Sequence, residues 1–179
     1  YEPKIDAILN ASPVLKDHDR ELGPTNAIGP SLGEVDRRYQ LMKQGKVLDR
    51  PGMLVNVTSL LDPTVAPDGR HVFSLEALFT PYDFTDAAGN GWAHAEQRGP
   101  EPQRWLELFA DQCEPGFLDS IVDWRAMTPA IYESDFHLPA GHATSFSGGP
   151  LASCRNPNPE LTKYETAVSG LYLLSPIHT

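Results

Sequence analysis

The sequence predicts an α+β domain: a mixed or antiparallel sheet with packed helices. Three observations predict it. Residues 53–60 and 71–80 are apolar-rich, strand-like stretches, and the second alternates at a two-residue period. Pro67-Asp68-Gly69 lies between them and supplies turn chemistry, so an antiparallel pair is expected. Around Trp105 the apolar residues recur instead at helical spacing. Strand-like and helix-like stretches are interspersed without a regular βαβ rhythm.

The elements follow in order. Residues 5–9 alternate apolar and polar side chains and predict a strand. Residues 12–30, rich in Pro, Gly and Asp, read as loop, with a short strand near 26–28. Ser31-Leu32-Gly33-Glu34 fits a capping box, with Ser31 as N-cap and Glu34 three places on. Beyond it Leu32, Val35, Tyr39 and Met42 fall on one helical face, and Gly45 would end that helix. In the 71–80 strand, Phe73, Leu75, Ala77 and Phe79 share one face; Ser74, Glu76 and Thr80 share the other.

Residues 85–100 read as an exposed loop. A helix over 102–113 would carry the stripe Trp105, Leu108, Phe109 and Cys113, and Pro115-Gly116 would stop it. A helical turn over 117–122 and a strand over 122–126 come next. Thr128-Pro129 is an N-cap followed by a proline at the first helical position, opening a short helix to Phe136. Residues 139–168 are mostly loop, with Asn156-Pro157-Asn158-Pro159 extended and stiff. Residues 171–174 are apolar at every position, as in a strand buried on both faces.

Composition narrows the function. The chain has 179 residues, 40% of them hydrophobic, and a net charge of −10. That length suits one domain with a real core. The acidic balance disfavours nucleic acid as a partner and gives no support to peripheral contact with an anionic membrane. No run approaches a membrane span, and no signal peptide opens the chain. The two cysteines, Cys113 and Cys154, make neither a disulfide framework nor a metal knuckle, so a reducing, cytoplasmic setting is expected. The sequons at Asn10 and Asn56 read as chance.

Candidate chemistry is sparse. A dinucleotide fold declares itself by G-x-G-x-x-G after a strand, because glycines let backbone amides reach the pyrophosphate. This chain has no such run, and Gly148-Gly149 leads into Pro150, which lacks an N–H. His137 and His142 stand five residues apart with no Cys or carboxylate pair beside them, so no metal site is expected. Ser145 and Ser147 do not sit in G-x-S-x-G. Cys113 lies on a core stripe; Cys154 neighbours Arg155, with nothing else to activate it. Most of the aromatics should be core, and a subset could wall an apolar cavity.

Short segments carry a resemblance. Gly170-Leu171-Tyr172-Leu173 resembles the GLYL element near the C-terminus of phytoene-desaturase-like FAD-dependent oxidoreductases. Leu60-Leu61-Asp62-Pro63-Thr64-Val65-Ala66-Pro67 resembles that family's S-x-L-D-P-x-x-A-P segment. Glu114-Pro115-Gly116-Phe117 is similar to its A-P-G-F turn, and Leu138-Pro139-Ala140-Gly141-His142 to its L-P-x-G-x element. Their order and spacing resemble the branch called pyridine nucleotide-disulfide oxidoreductase domain proteins more than true carotenoid desaturases.

The resemblance implies that the chain is part of a larger FAD-dependent oxidoreductase. Residues 1–168 would be a substrate-binding-like domain contributing an apolar pocket. Residues 169–179 would be the first strand returning to a flavin-binding domain otherwise absent. In such enzymes the flavin takes a hydride from an apolar substrate, and the protein supplies orientation and excludes water. His142 and Phe146 would lie near substrate. Ser175, Pro176 and Thr179 would approach the FAD only in the intact protein, and this chain alone is expected to hold none. Leu174-Ser175-Pro176 stands where relatives commonly have Cys-Gly-Ala or Cys-Gly-Ser, which removes a close backbone approach. The implied partners are the missing flavin segments, or another chain supplying them, and a hydrophobic small molecule. The rival reading is a non-catalytic binding or interaction module, or one half of a two-chain assembly.

Overall fold

A computed structural model describes residues 3–16, 23–29, 31–82, 100–141 and 167–172. Five strands form one antiparallel sheet. They are β1 (Lys4–Leu9), β2 (Thr25–Ile28), β3 (Met53–Asn56), β4 (His71–Ala77) and β5 (Ile121–Met127), in the spatial order β2-β3-β4-β1-β5. The expected pairing holds, with Met53 opposite Ala77 and Val55 opposite Leu75. β1 lies between β4 and β5, with Ile5 facing Leu75 on one side and Ala126 on the other.

Alternation explains which face is dry. Ile5, Ala7 and Leu9 of β1 are buried, and their partners Leu75, Phe73 and Ala126 are buried beside them. Met53 and Val55 extend that surface across β3. The intervening residues Lys4, Asp6 and Ile8 point the other way and stay half-buried. That second face is more polar. Lys4 pairs with Asp6 at 2.9 Å, and Asn56 donates to Ser74 at 3.4 Å.

One helix seals the dry face. α2 (Pro100–Ala110) buries Trp105, Leu106 and Phe109 against it. Phe109 lies 5.3 Å from Phe73 and 4.8 Å, edge-on, from Phe117, measured between ring centroids. Phe73 and Phe117 are also 5.3 Å apart. Phe117 opens the short helix α3 (Phe117–Ser120), which runs straight into β5. Edge-on and tilted rings at this spacing add attraction beyond their burial.

Several boundaries differ from expectation. β3 stops at Asn56, because the chain turns into a 3-10 helix over Thr58–Leu60. The capping box is not made: Ser31 gives no side-chain cap bond, and its carbonyl instead accepts from the Glu34 amide at 3.0 Å. A 3-10 turn over Leu32–Glu34 precedes α1 (Val35–Lys43), so helical spacing does not extend back to Leu32. Leu32 is accordingly 92% exposed. The more covered side of α1 is Val35, Arg38, Leu41 and Met42, while Tyr39 is exposed. The helix does end at Gly45, whose amide donates to the Met42 carbonyl at 3.0 Å.

α4 (Pro129–Phe136) starts as expected. Thr128 accepts from the Ile131 amide at 3.4 Å and Pro129 fills the first helical position. Leu171 and Tyr172 are exposed, while the rest of that apolar run and the loops expected over 85–100 and 142–166 lie outside the described residues, save Pro100 in α2.

Replacing Phe109 with Ala should remove two ring contacts and leave a void under the sheet. We expect a loss of ~3–5 kcal/mol in urea denaturation. A loss below ~1 kcal/mol would mean α2 does not seal the core.

Candidate functional site

Three of the four segments that carry the resemblance turn out to be turn devices. In the first, the Asp62 carboxylate accepts from the Thr64 hydroxyl at 2.6 Å and the Thr64 amide at 2.9 Å. It thereby caps the 3-10 turn over Pro63–Val65. Those bonds, the hydroxyl first, hold its carboxyl below the usual carboxylate range. In the second, Gly116 takes φ = 111°, which lets the chain leave α2 and deliver Phe117 into the core.

The third device is at the end of α4. Gly141 has φ = 64°, and a Cβ there would stand 1.9 Å from the Pro129 carbonyl oxygen. Only glycine lets the loop lie this close to the start of the helix. Two non-glycine residues of the same loop, His137 and Ala140, also take left-handed backbone angles. Glu133 fastens the loop: it accepts from the Ala140 amide at 3.2 Å and from the Tyr82 hydroxyl. The chain reaches residue 142 from this pinned turn.

A serine–histidine contact joins the turn after β3 to β4. Ser59 Oγ is 3.1 Å from His71 Nδ1 and accepts from the Val72 amide at 3.2 Å. Ser59 is buried, and among the described residues no carboxylate is bonded to the imidazole to orient it. The pair ties the Thr58–Leu60 turn to the start of β4. It is not built as a nucleophile with its base.

A cleft of about 150 Å³ lies between α1, α2 and the β2–β3 edge, lined by Ile28, Gly29, Arg38, Arg50, Pro51, Met53, Leu108 and Gln112. Its position follows from a clamp on α2. Arg104 donates to the carbonyls of Asp49 at 2.6 Å and Leu48 at 2.9 Å. Glu101 accepts from Arg104 and from the Trp105 indole at 3.1 Å. The loop before Arg50 is thus fixed to the helix that seals the core. Arg38 donates to the Arg50 carbonyl and pairs loosely with Glu34 at 3.7 Å. Sequence reasoning alone did not find this site. The signal was there: five of the 14 basic residues fall between 37 and 50, where Asp49 is the only acid.

The expected site residues His142, Phe146, Ser175, Pro176 and Thr179 all lie outside the described residues. Of the aromatics considered as cavity walls, Phe73, Trp105, Phe109 and Phe117 are core. Tyr132 and Phe136 face each other on α4, with Phe136 exposed. Burial pushes the Cys113 thiol up to about 11, so it stays protonated and unreactive near neutrality. Among the described residues there is no cluster of three metal-ligating side chains and no helix long and apolar enough to cross a membrane.

The described residues do not fit FAD. Every described strand pairing is antiparallel, so no parallel βαβ crevice forms. The glycine that does allow close backbone approach, Gly141, spends it on Pro129.

Comparison with known proteins supplies the remaining evidence. No protein-family model matches the chain. Curated relatives do. The chain is 35% identical over 139 residues to pyridine nucleotide-disulfide oxidoreductase domain-containing protein 2 of Mus musculus, and likewise to that of Rattus norvegicus. The likeness is to part of an oxidoreductase-domain protein. It covers 75% of this chain but only 23% of each relative. The relatives' name is that of the branch the short segments pointed to, and it names no desaturation and no substrate.

Replacing Gly141 with Ala should strain the left-handed backbone and drive Cβ into Pro129. We expect a loss of more than ~2 kcal/mol in urea denaturation, far above an ordinary surface change. A neutral result would show that the loop is not held against α4.

Proposed function

We propose that this chain is the substrate-side part of an FAD-dependent oxidoreductase resembling the phytoene-desaturase-like flavoproteins. The flavin would be bound by residues outside it. The observation that carries the reading is the 35% identity over 139 residues to oxidoreductase domain-containing proteins. The chain spans about a quarter of those relatives' length, so the activity belongs to a larger whole. Two further points support the division of labour. The sequence has no pyrophosphate-binding glycine run, and the described sheet is of the antiparallel kind that does not form a nucleotide crevice.

On this reading the chain supplies shape rather than reacting groups. The sealed face holds the domain together. His142 and Phe146, which follow the pinned turn in sequence, would lie near an apolar substrate, as the resemblance implies. Ser175, Pro176 and Thr179 approach the flavin once the rest of the protein is present. The protein's part is then to orient the substrate and exclude water.

The test uses the longest natural polypeptide that contains these residues. Purified, it should carry about one flavin per chain, seen in the visible absorbance spectrum. A longer polypeptide that folds and carries no flavin, even after incubation with FAD, would favour the rival reading of a binding or interaction module.

A further inference from the structure

The cleft beside α1 is the feature that neither the core nor the oxidoreductase reading uses. Its floor is apolar: Ile28, Met53, Pro51 and Leu108. Its polar lining is cationic and amide: Arg38, Arg50 and Gln112. Among the described residues no acidic side chain lines it. That is unusual in a chain of net charge −10. The Arg38 side chain is only 15% exposed, yet its partners among the described residues are the Arg50 carbonyl and a distant Glu34 carboxylate. A guanidinium has five N–H donors, so Arg38 keeps donors to spare. Arg50 is exposed, and among the described residues its guanidinium is in no recorded hydrogen bond or ion pair. Its backbone is fixed by Arg38 on one side and its loop by Arg104 on the other.

We propose that this cleft is a binding site for a small amphipathic anion: an oxyanion head held by Arg38 and Arg50, and a short apolar tail against Met53 and Leu108. Planar guanidinium groups suit carboxylate and phosphate oxygens, because two parallel N–H bonds can form at once. The volume of about 150 Å³ takes a tail of a few carbons, not a long chain. The head could be a carboxylate or a phosphate ester; both satisfy the same donors. The site is separate from the turn that leads to His142, and it does not depend on the presence of flavin.

The test is a titration of the 179-residue chain with hexanoate, hexyl phosphate and hexan-1-ol, read from the methyl NMR signals of Met53 and Leu108. The two anions should shift both methyls saturably, and the alcohol should bind at least about tenfold more weakly. Whichever anion binds tighter identifies the head group. Arg50→Gln should weaken the anions about tenfold and leave the alcohol unchanged. The Arg50 side chain is exposed, so the variant should keep its urea midpoint, which confirms that it is folded. The proposal is overturned if neither anion moves these methyls, if hexan-1-ol binds as well as the anions, or if folded Arg50→Gln binds them undiminished.

Discussion

Phe109 of α2 sits against Phe73 of β4 and Phe117 of α3, and these three rings join a helix, the middle of the sheet and a turn. Trp105, one turn earlier, is fully buried in the same cluster. Much else is arranged around that seal. Because α2 must lie flat on the sheet, Gly116 has to turn the chain sharply so that Phe117 can enter. Because Arg104 leaves the same helix on its other side, the loop before Arg50 is drawn in and the cleft beside α1 takes shape. The packed face therefore gives stability, and its margin gives a recessed cationic surface.

The same constraint shapes what the described sheet can offer a ligand. A sheet whose dry face is filled with aromatic rings has no crevice to offer a dinucleotide there. Its strands are antiparallel neighbours, so no glycine turn leads from a strand end into a helix N-terminus at a switch of strand order. The segments that carry the resemblance do structural work in this part of the chain: a capped turn at Asp62, a left-handed turn at Gly116, a close backbone approach at Gly141. Turn devices of this kind fix the path of the chain and need no chemistry of their own.

Much of the fold was legible because local periods carried it. The β4 alternation, the Trp105 stripe and the Thr128-Pro129 start each needed only a few adjacent residues. Other features depended on distant partners. Nothing local shows that β1 should slot between β4 and β5, since those contacts join residues 4–9 to residues 121–127. Leu32 misled because a 3-10 turn rotates side chains by a different angle than the α-helix that follows. Arg38 and Arg50 are drawn together by a helix, a loop and a clamp from Arg104, which no spacing rule encodes. The ligand-facing residues inferred from the resemblance, His142 and Phe146 with Ser175, Pro176 and Thr179, lie outside the described residues.

The central claim is that this part of the protein holds its core on one face and leaves the flavin to residues elsewhere. The most direct measurement is equilibrium binding of FAD to the folded 179-residue chain, followed by quenching of flavin fluorescence and by ultrafiltration. The account predicts no saturable binding up to about millimolar FAD. One FAD retained per chain with a Kd near or below about 1 μM would contradict it.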